Sequence, residues 1–137
     1  MSSEPTGDDL LAVCTFARRF EEPDFVAGGW VSPEPSEDGV ALLGYWVPSE
    51  DVARWQAALY EHHIVLPFDW TAPSWRRQMR CYYEDPGLLQ RARLLTIRKV
   101  LTSLVRADRF CEGTLAEAFE RGVPQAAMRR LGAISGE

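Results

Sequence analysis

The spacing of apolar residues predicts helices at both ends of the chain and strands between them. Apolar positions from Leu10 to Phe20 recur at intervals of three and four residues, as in an amphipathic helix. Two mainly apolar runs, 25–31 and 40–47, follow on either side of a proline- and glutamate-rich turn, and they predict an antiparallel hairpin. A third short extended segment, 64–68, contains Pro67 and is expected at a sheet edge.

The second half has helical spacing throughout. Apolar positions from Leu89 to Leu104 share one face of a predicted helix that spans 88–109. Gly122 is expected to end the next helix, and Pro124 to begin the last. The predicted N-caps are Asp8 or Asp9, Ser49, Ser74, Asp85 and Thr114, the last in a capping box with Glu117. The predicted fold is α+β: a small antiparallel sheet of two to three strands in the N-terminal half, packed with about five helices, and an all-helical C-terminal half.

Length and composition place the chain among small globular proteins. Its 137 residues fit one domain, here 7–137, preceded by a flexible N-terminal tail, 1–6. No stretch of about 18 apolar residues predicts a membrane span, and the acidic start does not resemble a signal peptide. Three cysteines, an odd number, favour a reducing compartment, and we expect a cytoplasmic protein.

Charge is divided unequally between the two halves of this acidic chain, whose net charge is −5. Residues 1–70 carry three Arg and thirteen Asp or Glu, whereas 71–137 carry twelve Arg or Lys and seven Asp or Glu. Either the halves neutralise each other by packing together, or the second half keeps a basic surface for an anionic partner.

An arginine stripe is the first candidate site. On the predicted helix 88–109, Arg91, Arg98 and Arg109 project within about 20° of one another, with Arg106 about 60° away. These four arginines are candidate ligands for phosphate, nucleic acid or an acidic protein. The alternative is a solvated face, or one paired with the acidic half. Arg76, Arg77 and Arg80 lie near Trp75, Tyr82 and Tyr83, a mixture that suits single-stranded nucleic acid and packed helices equally.

A charged cluster at a helix junction is the second candidate site. It comprises Arg106, Asp108, Arg109, Glu112 and Gly113. Buried charges at such a junction need mutual pairing. The cluster is therefore either a structural clasp or the wall of a polar pocket that faces Asp69 and Trp70, where Asp69 can also accept amides of the following residues.

Other motifs in the sequence are weaker indications of function. The segment from Thr114 to Leu131 has the pattern of two short helices joined by a turn, as in a helix-turn-helix. In that motif Gln125, Arg129 and Arg130 would contact DNA. The adjacent His62 and His63 diverge by about 100° on a helix and cannot share a metal ion. The pattern contains no signature of a catalytic residue set, a metal site or a cofactor.

The residues also resemble a known family. The resemblance rests on Pro23-Asp24-Phe25, Gly29-Trp30, Pro67-Phe68-Asp69-Trp70 and, most specifically, Arg109-Phe110-Cys111-Glu112-Gly113. The chain is similar to the domain of unknown function 6508 family from about Phe20 to Leu131. That resemblance implies a prokaryotic, cytoplasmic protein and implies no activity.

We therefore expect a non-enzymatic module that binds a protein partner, with a second copy of the chain as one candidate partner. A nucleic-acid or phosphate-binding protein that uses the arginine stripe is the first alternative. An enzyme or ligand-binding site around Asp69, Arg109 and Glu112 is the second.

Overall fold

The computed structural model describes residues 4–32, 39, 44–109 and 113–136. It confirms an α+β fold with a two-stranded antiparallel sheet in the N-terminal half and helices in the C-terminal half. The elements are α1 (Gly7–Phe20), β1 (Gly28–Val31), β2 (Tyr45–Pro48), α2 (Glu50–Glu61), α3 (Pro73–Glu84), a 3-10 helix (Pro86–Arg91), α4 (Leu94–Ala107), α5 (Thr114–Arg121) and α6 (Val123–Ser135).

Some predicted helix ends are confirmed and others shift. Ser49 caps α2 by accepting from the amide of Val52, and Gly122 ends α5 in the left-handed conformation. Thr6 rather than Asp8 or Asp9 caps α1, so the last residue of the predicted tail belongs to the helix start. Gly113 precedes α5 with a φ of 88°, so Thr114 lies inside the helix and does not cap it.

Two helix starts near α3 also differ from expectation. Ala72 rather than Ser74 precedes α3, whose first residue is Pro73. Asp85 caps the following helix as predicted, by accepting from the amide of Gly87 at 3.1 Å, but that helix is a single 3-10 segment.

The hairpin is the only sheet among the described residues. β1 and β2 are antiparallel, with Trp30 opposite Trp46 and Val31 opposite Tyr45. The four predicted residues 40–43 lie outside the described part of the chain. The expected third strand is wrong, because the segment 64–68 forms no strand and pairs with neither β1 nor β2.

The predicted single helix over 88–109 is also wrong. The 3-10 helix ends at Arg91, Arg93 is extended (φ −77°, ψ 161°), and α4 begins at Leu94. The carbonyl of Ala92 at this break accepts a hydrogen bond from Nε of Arg130 at 2.7 Å. A side chain from α6 therefore satisfies a backbone group that a continuous helix would have satisfied itself.

The core lies around α6, where α1, α2, α4 and α5 meet. Phe20, Trp55 and Phe119 pack edge to face, with ring centroids 5.2–5.6 Å apart. Nε1 of Trp55 lies 3.4 Å from Sδ of Met128, which is fully buried on α6. Helix α6 also packs against the 3-10 helix and α4, which leaves α3 at the edge of the molecule.

Candidate functional site

A groove with a volume of about 550 Å3 lies between α3, α4 and α5. Ala107 of α4 and Tyr83 of α3 supply apolar surface along it, over the buried Leu104 and Met79. Trp70 and Thr71, from the corner before α3, are also part of its lining. Its volume is within the range of about 300–1,000 Å3 that small-molecule sites occupy.

The α3 wall of the groove carries charge at regular intervals. Arg76, Arg80 and Glu84 are spaced four residues apart, so they follow one another along a single face of the helix. All three side chains line the groove and are exposed at its rim. Arg77, on the same helix, is exposed but does not line it.

A buried hydrogen bond holds α3 against α4. Nε1 of Trp75 donates to Oγ of Ser103 at 2.7 Å, and that hydroxyl donates to the carbonyl of Lys99 at 2.7 Å. Trp75 is buried, so its indole N–H needs such an acceptor. The bond fixes the rotation of α3 and therefore which of its side chains face the groove.

The α5 wall is polar. Thr114, Glu117 and Arg121 line the groove, and Glu117 lies 3.9 Å from Arg121 as an exposed pair one turn apart. An ion pair of this kind is weak because water screens it. Within the described chain, neither Arg76 nor Arg80 has an ion-pair partner within 4 Å.

Tyr83 marks the end of the groove that carries negative charge. Burial of the phenol, together with the nearby carboxylates of Glu117 and Asp108, raises the pKa of Tyr83 to about 12. The hydroxyl therefore stays protonated at neutral pH and keeps its hydrogen-bond donor.

The structure does not bring the predicted polar cluster together into one pocket. Trp70 lines the groove, but Asp69 is exposed and accepts from the amide of Thr71 at 3.0 Å. Bonds from the hydroxyl and the amide of Thr71 lower the pKa of Asp69. This is the local amide capture that the sequence predicts for Asp69.

The remaining members of the cluster support the fold around α5. Asp108 accepts from the amide of Leu115 at 3.1 Å, in the first turn of α5, as a clasp would. The guanidinium of Arg109 lies 5.4 Å from the ring centre of Tyr60 on α2. Gly113 packs under the indole of Trp30. Arg106 is half-buried in the last turn of α4, and Glu112 lies outside the described residues.

The four arginines of the predicted stripe do not share one exposed helix face. Arg91 ends the 3-10 helix, and Arg109 follows α4 rather than lying in it. Arg98 is buried, with 6% of its surface exposed, and donates from Nε to the carbonyl of Ile64 and from Nη2 to that of His63. Burial lowers the pKa of the Arg98 guanidinium.

Arg98 is buried because this face of α4 covers the segment 63–66, which belongs to no sheet. Thr102, fully buried one turn after Arg98, accepts from the amide of Leu66 at 3.1 Å. Backbone groups of 63–66 that lack a strand partner are thus satisfied by polar side chains of α4. A polar helix face that binds buried backbone groups of another segment has the same sequence pattern as a face exposed to solvent, so the sequence alone does not distinguish them.

The residues singled out by the helix-turn-helix interpretation form contacts within the protein, although the side chain of Arg129 stays 61% exposed. Helix α6 packs against α1, and its predicted DNA contacts have protein partners. Gln125 donates to the carbonyl of Phe119 at 3.1 Å, and Nε of Arg129 lies 2.7 Å from Glu21. Arg130 binds the carbonyl at the break before α4.

The groove itself was not predicted. The sequence draws attention to the α3 arginines, but their aromatic neighbours Trp75 and Tyr82 are buried and cannot stack on bases. The spacing of Arg76, Arg80 and Glu84 is the signal in the sequence that marks the wall. The contribution of α5 depends on tertiary packing, which no local pattern encodes.

The described part of the chain holds neither a metal site nor a membrane-spanning helix. It contains no group of three or more His, Cys, Asp or Glu side chains arranged to hold a metal ion. Among the helices described, none has the length and apolar character needed to cross a membrane.

Comparisons with known proteins give a family and no activity. No curated protein and no solved structure matches the chain. A family model described as a family of unknown function, DUF6508, matches residues 5–137, which is nearly the whole chain. The protein therefore belongs to the DUF6508 family.

Proposed function

We propose that the protein is a non-enzymatic interaction module that binds a short amphipathic segment of a partner protein in the groove between α3, α4 and α5. One observation carries the proposal: an apolar floor, formed by Trp70 and Ala107 over the buried Met79 and Leu104, lies beside two arginines without ion-pair partners in the described chain. An apolar side chain of the partner would fill the floor, and its carboxylates would meet Arg76 and Arg80.

The composition of the groove supports a protein partner. Protein interfaces are enriched in aromatic residues, Met and Arg, with an apolar centre and a polar rim that stays wet. Trp70, Met79 and Tyr83 supply the first kind of surface, and Arg76 and Arg80 supply the second. A groove between helices is also a common receptor for an amphipathic helix.

The two alternatives have less support. Nucleic-acid binding by the arginine stripe needs Arg98 on the surface, and Arg98 is buried. A ligand site around Asp69, Arg109 and Glu112 needs the three to converge, but Asp69 binds Thr71, and Arg109 lies over Tyr60. A cytoplasmic location is part of the proposal, and Cys14 and Cys81 are both free thiols.

Selection of random 12-residue peptides displayed on phage tests the proposal with the full chain as bait. We expect enriched peptides to combine a large apolar residue with Asp or Glu. Their affinity should fall at least tenfold in the variant Arg76→Glu/Arg80→Glu. Arg77→Glu is the matched control, because it reverses an exposed charge on the same helix outside the groove, and it should bind like the parent.

A second variant tests the floor independently of charge. Ala107 is half-buried at the end of α4 and lines the groove, so Ala107→Phe should fill it and weaken the same peptides. Failure to enrich any peptide, or enrichment that neither variant reduces, would overturn the proposal. So would a labelled single-stranded oligonucleotide that binds at 150 mM salt more tightly than every peptide and is lost in the arginine variant.

A further inference from the structure

The sign of the charge changes along the α3 wall of the groove. On α3, the order is Arg76, Arg80 and then Glu84, which are separated by about 6 Å per step because a helix rises about 1.5 Å per residue. From Arg76 to Glu84 the wall therefore changes from positive to negative over about 12 Å. A partner segment of two to three helical turns spans that length.

The negative end of the α3 wall lies beside further carboxylates. Tyr83, next to Glu84, is close enough to Glu117 and Asp108 for both charges to act on its phenol. Asp108 in turn binds the amide of Leu115 in the first turn of α5. Helices α3 and α5 are in contact, and Glu84 and Glu117 both line the groove between them.

The positive end lies towards the start of α3. Arg76 is in the first turn, one residue after Trp75, which is fixed to the middle of α4 through Ser103. Arg80 extends that charge by one turn. Arg121 partly offsets Glu117, but their 3.9 Å separation and exposure leave the carboxylate of Glu117 accessible to a stronger cationic partner.

We infer that the groove selects a segment with opposite charges at its two ends, an acidic residue against Arg76 and Arg80 and a basic residue against Glu84 and Glu117, on either side of an apolar anchor. This inference rests on the proposed function and specifies its ligand class. Complementary charge fixes the register and orientation of a partner more than it adds affinity. A segment with acidic residues at both ends places one of them against carboxylates, which costs affinity.

Three phage-displayed libraries of 12-residue peptides with the same randomised apolar centre test this inference. One has Glu on one flank and Lys on the other, in both chain directions; the second has Glu on both flanks; the third has Lys on both. The best peptide of each is then labelled with fluorescein, and its Kd is measured by fluorescence polarisation.

The two-charge library is expected to give the tightest peptides, with a Kd at least tenfold below that of the best Glu-flanked peptide. In the variant Glu84→Lys the order should reverse, because the Glu-flanked peptide then meets cations along the whole α3 wall. Glu120→Lys is the matched control, since Glu120 is exposed on α5 but does not line the groove, and it should leave the order unchanged.

An exchange of two charges on α3 shows whether a loss of peptide affinity arises from the groove or from a loss of stability. Arg80→Glu/Glu84→Arg keeps the composition and net charge of the helix and moves a cation to its C-terminus, where the helix dipole favours it. We expect this variant to be as thermally stable as the parent and to lose at least tenfold in affinity for the two-charge peptide. The Glu50→Arg/Arg54→Glu exchange on α2, an exposed pair away from the groove, is the control.

The two failures are distinguishable. If Glu-flanked peptides bind as tightly as two-charge peptides, and Arg76→Glu/Arg80→Glu removes both, the groove binds segments but the direction inferred here is wrong. If no library yields a peptide that responds to the arginine variant, the proposed function is wrong as well.

Discussion

Replacement by Glu should unfold the protein at Arg98 and leave its stability unchanged at Arg91. If both arginines lay on one exposed helix face, as the sequence suggests, both would tolerate Glu with no loss of stability. In the structure Arg91 is exposed, whereas Arg98 is 6% exposed and donates to the carbonyls of Ile64 at 3.2 Å and His63 at 3.0 Å.

The magnitude follows from those two hydrogen bonds. Each bond from a charged donor contributes about 1.5–3 kcal/mol, and removal of a buried guanidinium also relieves some cost of desolvation. We therefore expect Arg98→Met to lower the free energy of unfolding by about 2–4 kcal/mol. Arg98→Glu would place a carboxylate against two carbonyl oxygens, at a cost comparable with the whole stability of a domain, about 5–15 kcal/mol.

Thermal and urea unfolding followed by circular dichroism measure the difference. At about 3 °C per kcal/mol for a chain of this length, Arg98→Met should lower Tm by about 6–12 °C, and Arg98→Glu should not fold. Arg91→Glu should stay within about 0.5 kcal/mol of the parent. A folded Arg98→Glu protein with a Tm near that of the parent would refute the assignment of Arg98 to the interior, as would equal losses at the two positions.

Three further predictions concern helix ends and interiors. Gly132→Ala, inside α6 where an added Cβ meets nothing within 4 Å, should stabilise the protein by about 0.5–1 kcal/mol in urea unfolding. Asp108→Ala removes the acceptor for the amide of Leu115 and should cost about 1 kcal/mol, with a lower Tm than the parent. A bond from the backbone amide of Thr6 and a contact with His62 lower the pKa of Asp9 to about 2. Asp9 therefore stabilises the fold above its ordinary value of 3.8 and loses that effect as the pH falls towards 2. Asp9→Asn should be less stable than the parent at pH 6, and the difference should shrink at pH 3; a constant difference would contradict the assignment.

Local sequence signals predicted the elements better than their contacts. The Leu10 to Phe20 stripe, the Ser49 cap and the Gly122 stop are each determined by a few neighbouring residues, and all three appear as expected. The expected third strand is absent because backbone groups of Ile64 and Leu66 bind side chains of α4 instead of a neighbouring strand. Hydrogen bonds between a helix side chain and the backbone of a distant segment do not change the periodicity of apolar residues in either one.

The candidate site shows the same limit. The charged residues around Asp108 were expected to pair, and Asp108 does form a structural contact, in which it accepts from the backbone amide of Leu115. The groove needs α3, α4 and α5 together, and the four-residue spacing of Arg80 and Glu84 by itself indicates only one face of a helix. Their importance comes from the buried Trp75–Ser103 bond that turns this face of α3 inward.

The central claim, that partners bind between α3, α4 and α5, is tested most directly by NMR with the best peptide from the two-charge library. Titration into the 15N-labelled full chain should shift the indole N–H signal of Trp70 and the side-chain signal of Arg80. The exposed apolar face of the hairpin, at Val31 and Val47, serves as the internal reference and should not shift. Shifts confined to that hairpin face, with Trp70 and Arg80 unchanged at saturation, would contradict the account.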